Sequence, residues 1–230
     1  MNRSLAPLAL AALAPVAAHA QEAAQSPARE ASLYVRGAVG AVFAGDLDQA
    51  LSYSPFFLPA VALPDAKTTR FGGDVAYAAA IGFQYPLGTR TELEYRRFSA
   101  GVDAIAYSNG LFPFATPTDD AVEAQTLMSN VYVSLAPDAR FSPYVGAGVG
   151  GAFIRNEFGE RDADFAYQAK VGVEMAVSPK LRFGVEGAYL RTLDLEFGPK
   201  QFVATGPVGP ASTGGAFSAL SVMASVRANF

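Results

Sequence analysis

From Ala216 to Phe230 the chain alternates without a break. Ala216, Ser218, Leu220, Val222, Ala224, Val226, Ala228 and Phe230 form a small or apolar series, while Ser221, Ser225, Arg227 and Asn229 fall in the other. Period two over this length predicts a strand with different surroundings on its two faces. The same pattern predicts seven earlier strands, at Leu33 to Phe43, Asp74 to Tyr85, Arg90 to Ser99, Val122 to Leu135, Ser142 to Arg155, Asp164 to Val177 and Leu181 to Arg191. Each sets residues such as Val35, Ile81, Leu93, Val131, Val171 and Val185 on one face and small or polar residues on the other.

The connections alternate in length. Pro86 to Thr89, Ala136 to Arg140 and Ser178 to Lys180 are tight, Asn156 to Ala163 is modest, and Ala44 to Gly73, Ala100 to Ala121 and Thr192 to Gly215 are long. Strands with one repeated apolar face, joined alternately by long and short segments, predict an all-β chain. The expected fold is an eight-stranded antiparallel transmembrane β-barrel with long outer loops and short periplasmic turns. A secreted sandwich or lipocalin-like barrel would account for the strands but not for an apolar face on every one of them. In the fifth strand Gly146, Gly148 and Gly150 fall on the inward face, leaving room for long side chains from elsewhere.

Composition narrows the chemistry. The chain has 230 residues and is 51% hydrophobic, yet outside its N-terminus no stretch reaches the length of a membrane helix. Met1 to Ala20 reads as a signal peptide, with Arg3 at the start, an apolar core from Leu5 to Ala17 and a cleavage site at Ala18-His19-Ala20. Residues 21–30 are a polar leader, and 31–230 the barrel domain. There is no Cys, and His19 is the only His, so after cleavage a His-dependent triad and a His or Cys metal site are excluded by inventory. The expectation is a protein without cofactor or resident metal and without catalytic activity. Asp119-Asp120 and Glu160-Arg161-Asp162 are acidic enough for weak calcium binding, but a solvated loop face explains them better. A net charge of −4 without a long basic run argues against nucleic acid as a partner.

Strand parity directs a charged set into the lumen: Arg36, Glu92, Glu94, Arg96, Lys170, Glu174, Arg182, Glu186 and Arg227. The signs nearly balance, so mutual pairing is expected to close a barrel this narrow. Glu92 and Glu94 share a face, but neighbouring arginines and a narrow lumen argue against glycosidase-like carboxylate chemistry. Arg97, Arg155 and Arg191 end upward strands with outward parity, where lipopolysaccharide phosphates would lie, and Arg suits bidentate phosphate contact. Tyr77, Phe153, Tyr167 and Tyr189 form an expected upper aromatic belt, with Tyr85, Phe183 and Phe230 a lower one. The long loops carry aromatic runs at Tyr53 to Leu58 and Leu111 to Phe114, candidates for a surface-ligand patch.

The segments LYVRGAVGAVF at Leu33, ELEYRRF at Glu92, SPYVGAGVGGAFI at Ser142, YQAKVGVEM at Tyr167 and the terminal VRANF resemble the small eight-stranded bacterial outer-membrane barrels. These include the OmpA-type transmembrane domain and related surface-antigen barrels. The resemblance implies residence in the outer membrane of a Gram-negative cell, contact with its lipid and lipopolysaccharide, and recognition of the C-terminal strand, ending at Phe230, by the barrel-assembly machinery. It implies a structural and surface-presenting role, with adhesion or recognition through the loops. The competing expectation is a small gated diffusion pore, in which the lumen pairs exchange partners. Because the chain ends at Phe230, the soluble domain that follows the barrel in OmpA-type proteins is not expected.

Overall fold

A computed structural model of the chain describes residues 31–52, 66–108, 115–116, 121–155, 161–193, 195–197 and 212–230. The expected signal peptide and leader, the aromatic runs at Tyr53 to Leu58 and Leu111 to Phe114, and Asp119, Asp120 and Glu160 lie outside these residues. The strands are β1 (Ser32–Ser52), β2 (Ala66–Gly72), β3 (Asp74–Gln84), β4 (Thr89–Ser108), β5 (Ala115–Thr116), β6 (Ala121–Ser134), β7 (Phe141–Arg155), β8 (Arg161–Ala176), β9 (Leu181–Thr192), β10 (Leu195–Phe197) and β11 (Ser212–Asn229).

β2 and β3 are one stave interrupted at Gly73, and β5 and β10 are short additions to β4 and β11. The eight staves pair antiparallel with their sequence neighbours, and β11 pairs with β1, so the sheet closes. Closure leaves no open edge, which is the condition for a sheet to cross lipid. The pairing also sets the stagger. It runs from Arg191 through Tyr167, Val149, Ser129, Leu93, Ile81, Val35 and Ala228 and returns to β9 at Leu181, ten residues below its start. On eight strands this stagger corresponds to a tilt of about 40°.

The tight ends match the turn residues. Pro86–Gly88 forms a 3-10 turn with Leu87 and Gly88 at positive φ, closed by the Tyr85 amide donating to the Thr89 carbonyl at 2.8 Å. The Val177 amide donates to the Leu181 carbonyl at 3.0 Å in the third turn. The Phe230 amide donates to the Leu33 carbonyl at 2.8 Å, fastening the last residue to the first strand.

Several strands run further than their alternation suggests: β8 starts at Arg161 and β11 at Ser212, and β2 is a strand within the stretch 44–73 expected to be loop. β1 continues past Phe43 to Ser52 and β4 past Ser99 to Ser108, into stretches expected to be loop. The alternation hides this because it changes phase. The β1–β11 register slips between Val42 and Ala44, so the inward residues are Tyr34, Arg36 and Val42 below the bulge and Gly45 and Leu47 above it. On the neighbouring stave Gly73, at φ +77, donates its amide to the Val42 carbonyl at 2.8 Å. A side chain there would be strained. Across Gly73 the inward set passes from Ala76 and Ala78 to Thr69 and Phe71. A bulge adds one residue and flips every later side chain to the other face.

The outer wall is apolar. Val39, Ile81, Leu93, Val149, Val171 and Val185 are all exposed on it. Tyr77, Tyr95, Phe153, Tyr167 and Tyr189 are exposed toward the end that bears the long connections, and Phe83, Tyr85, Phe141, Phe183 and Phe230 toward the end with the tight turns. Such a wall is unstable in water and stable in a bilayer, where aromatic rings mark the two interfaces.

Candidate functional site

The lumen holds the buried polar chemistry. Five cations, Arg36, Arg90, Arg96, Lys170 and Arg227, and four carboxylates, Glu92, Glu94, Glu174 and Glu186, are each at most 4% exposed. They reach the interior because strand parity sends Arg90, Glu92, Glu94 and Arg96 inward on β4, Lys170 and Glu174 on β8, and Glu186 on β9.

The charges form two connected tiers. In the lower tier Glu174 bridges Arg90 and Arg227, each guanidinium nitrogen 2.7 Å from a carboxylate oxygen. The Arg90 guanidinium sits between two tyrosine rings, 4.4 Å from the Tyr132 centroid and 4.3 Å from that of Tyr144. Arg227 lies 5.0 Å over the Tyr34 ring. These contacts offer a desolvated cation a π face as well as its carboxylate.

In the upper tier Glu92 accepts from Arg36 at 2.7 and 3.0 Å, from Tyr34 Oη at 3.1 Å and from Tyr132 Oη at 2.9 Å. Glu94 is the hub. It pairs with Arg36, with Arg96 at 3.0 Å and with Lys170 at 2.6 Å. Glu186 takes Lys170 at 2.9 Å and the Tyr144 hydroxyl at 2.9 Å. The tyrosines tie the tiers together, since Tyr132 and Tyr144 hold Arg90 with their rings and the upper carboxylates with their hydroxyls.

The glycines of β7 make this possible. A side chain on Gly146 would run into the Tyr132 ring, one on Gly148 into the Asn130 amide and one on Gly150 into the Leu127 carbonyl and then Met128. The three inward glycines are therefore the space that β6 side chains occupy. Gly146→Ala is expected to destabilise the folded barrel by about 1–3 kcal/mol through overpacking against Tyr132. Urea titration of the refolded protein in micelles measures it. An unchanged midpoint would show that the ring can move aside freely.

Arg182 does not enter the ionic network. It is half-buried at the turn end, where it donates to the Pro137 carbonyl at 3.3 Å. Its parity is inward, but it lies below the paired layer. Arg90 joins instead, and its signal was present, because it continues the alternate charged series of Glu92, Glu94 and Arg96.

Above the charges the lumen is apolar, a second feature that parity arguments about polar residues miss. Phe71, Phe98 and Phe217 stack, with centroids 5.1 Å apart for Phe71 and Phe217 and 5.9 Å for Phe98 and Phe217. Val42, Leu47, Val122, Ile154, Leu190 and Leu195 complete a buried cluster around them. Below this cap, Arg90 Nε and Nη2, Arg96 Nε and Arg227 Nε have no protein acceptor among the described residues. The charged stretch is thus polar enough to hold water, whereas the cap is mainly apolar, with the Thr69 and Thr192 hydroxyls its buried polar side chains and Thr192 Oγ1 accepting from the Phe217 amide at 2.9 Å.

The expected outer arginines separate. Arg97 and Arg155 lie on the outer wall, Arg155 at the upper end of β7 but Arg97 in the middle of β4, which runs past its expected end near Ser99 to Ser108. Arg191 is exposed on β9 and pairs in register with Tyr167, six residues along β8 from Arg161.

A family model described as surface antigen matches residues 74–222. Major surface antigen 4 of Anaplasma marginale is 29% identical over 138 residues, covering 53% of this chain and 46% of that protein, so the chain matches less than half of this relative's length. Among solved structures, the outer membrane protein OprG from Pseudomonas aeruginosa aligns with a TM-score of 0.56 at 12% identity, over 87% of this chain and 96% of that one. The outer membrane protein AlkL, determined in lipid bilayers, aligns with a TM-score of 0.54 at 14% identity, over 90% of this chain and 93% of that one. At these identities the similarity is one of fold.

Proposed function

The chain belongs to the surface-antigen family, as an eight-stranded β-barrel of the bacterial outer membrane, and from that premise we propose that it is a closed, non-catalytic scaffold that strengthens the membrane and presents its outer connections at the cell surface. The observation that carries this reading is the doubly filled lumen. A bonded ionic layer lies across the membrane-spanning stretch, and the Phe71–Phe217–Phe98 stack lies above it. A small pore would need a continuous wet path, and the apolar cap interrupts one. The longest connections expected from the sequence follow the outward ends of described strands, after Ser52, Ser108 and Phe197, on a closed frame, the arrangement in which connecting segments carry recognition. The absence of Cys, and of any His beyond His19, removes the usual nucleophile–base pairs and supports a non-catalytic role.

The test is single-channel recording of refolded protein in a planar bilayer. Wild type is expected to be silent. Glu186→Ala is also expected to be silent, because it disturbs the ionic layer and leaves the cap in place. Discrete openings from wild-type protein would overturn the closed reading in favour of the diffusion pore.

A further inference from the structure

The outer wall gathers charge where the upper ends of β6, β7 and β8 meet the middle of β4. Two pairing rows cross it side by side. One contains Ser99, Glu123, Arg155 and Arg161, the other Arg97, Gln125, Phe153 and Ala163. Arg97, Phe153, Arg155 and Arg161 are exposed, and these rows line a shallow depression in the wall. Three guanidinium groups therefore share one site with two carboxylates, Glu123 on the outer wall and Asp162, which is inward by parity but also lines the depression. Arg97 and Arg161 form no ion pair among the described residues, and Arg155 reaches Glu123 only at 3.8 Å, with both side chains partly exposed. Such a loose exposed pair contributes little and yields readily to a stronger acceptor.

The wall below is apolar and notched. The next row is Tyr95, Leu127, Gly151 and Phe165, and a Cβ at Gly151 would meet nothing within 4 Å. Tyr95 Oη donates to Gln125 Oε1 at 3.1 Å, which leaves the Gln125 amide nitrogen as a further donor at the level of Arg97. Donors thus sit at and above the aromatic belt, with an open apolar channel directly beneath. A soluble anion would use the upper half only, whereas an amphiphile uses both.

We propose that this patch is a binding site for a phosphorylated glycolipid of the outer leaflet, lipopolysaccharide, with Arg97, Arg155 and Arg161 on a lipid A phosphate and an acyl chain lying over Gly151. A phosphate monoester carries between one and two negative charges at neutral pH, and the three arginines outnumber Glu123 and Asp162 at the depression, so a net positive charge is left to meet it. Planar guanidinium groups bind phosphate through paired N–H donors. Arg191 lies away from the patch and has no part in it, whereas Arg161, at the start of β8, does.

The experiment titrates the refolded full chain, in neutral detergent micelles, with lipid A and with dephosphorylated lipid A, read by native mass spectrometry. Arg97→Ala/Arg155→Ala/Arg161→Ala is expected to weaken binding of lipid A about tenfold or more. Arg70→Ala/Arg191→Ala, which removes two exposed arginines elsewhere, is expected to leave it unchanged. Glu123→Gln removes the competing carboxylate and is expected to tighten it, a readout that holds even if the triple variant refolds poorly. Dephosphorylated lipid A is expected to bind wild type no better than lipid A binds the triple variant. Equal affinity of wild type and the folded triple variant would overturn the site. Equal losses in the control pair would reduce it to general surface charge. Full displacement of lipid A by millimolar inorganic phosphate would show a free-anion site instead of a lipid site.

Discussion

Glu94→Ala is expected to lower the unfolding free energy of the refolded barrel by about 3–5 kcal/mol. The carboxylate is buried and holds Arg36, Arg96 at 3.0 Å and Lys170 at 2.6 Å, and Gln168 reaches it at 3.5 Å. Its removal affects the three cations unequally. Arg36 keeps Glu92 at 2.7 Å and Lys170 keeps Glu186 at 2.9 Å. Arg96 is left with the Ser221 hydroxyl at 3.3 Å and Glu186 at 4.0 Å. A desolvated guanidinium without a close carboxylate is the source of most of the loss. The double variant Glu94→Ala/Arg96→Met should therefore recover part of the stability lost in the single variant, a coupling that a thermodynamic cycle reads directly. Arg182→Ala, outside the network, serves as the reference and should cost well under the Glu94 value. Reversible urea unfolding in micelles or bilayers supplies the numbers. Similar losses for Glu94→Ala and Arg182→Ala would mean that the interior charges are solvated and the network contributes little.

Phe217→Ala is expected to cost a similar amount, about 3–5 kcal/mol, through a cavity instead of a stranded charge. The ring is fully buried and lies against both Phe71 and Phe98, so its removal takes a stacking partner from each. The two effects separate by salt and by conductance. The Glu94 loss is electrostatic and should respond to ionic strength once the lumen is wetted, while the Phe217 loss should not. Phe71→Ala/Phe217→Ala, which removes most of the stack, should give channel openings where wild type and Glu186→Ala give none. If the double cap variant stays folded, inserted and silent, the ionic layer alone is a sufficient seal.

Much of this architecture was legible from alternation. Val35, Ile81, Leu93, Val171 and Val185 fall on the lipid side, and Arg36, Glu92, Glu94, Lys170 and Glu186 on the lumen side, because a strand assigns alternate residues to opposite faces whatever their neighbours are. The three glycines of β7 announced space, and the structure fills it with Tyr132, Asn130 and Met128. Alternation failed where its phase changed. Leu47 and Phe71 sit beyond the bulge at Val42/Ala44 and the break at Gly73, so their inward direction could not be carried up from the lower strand. The upper lumen was missed for a second reason. Inward was equated with polar, yet above the ionic layer the interior is walled by Phe98, Val122, Ile154 and Phe217.

The sequence by itself determined the closed eight-stranded plan, the face of most residues in its regular strands and the chemical inventory of the lumen, since all three depend on local period and composition. Only the tertiary structure decided which charges meet. Glu94 and Lys170 are 76 residues apart, and Glu174 and Arg227 are 53 apart. They are brought together by a ten-residue stagger that exists only once β11 has closed onto β1. The pairing of β4 with β6, β6 with β7 and β7 with β8 gathers Arg97, Arg155 and Arg161 on one patch of wall and leaves Arg191 outside it. Register around a barrel is a property of the whole ring, and no single strand carries it.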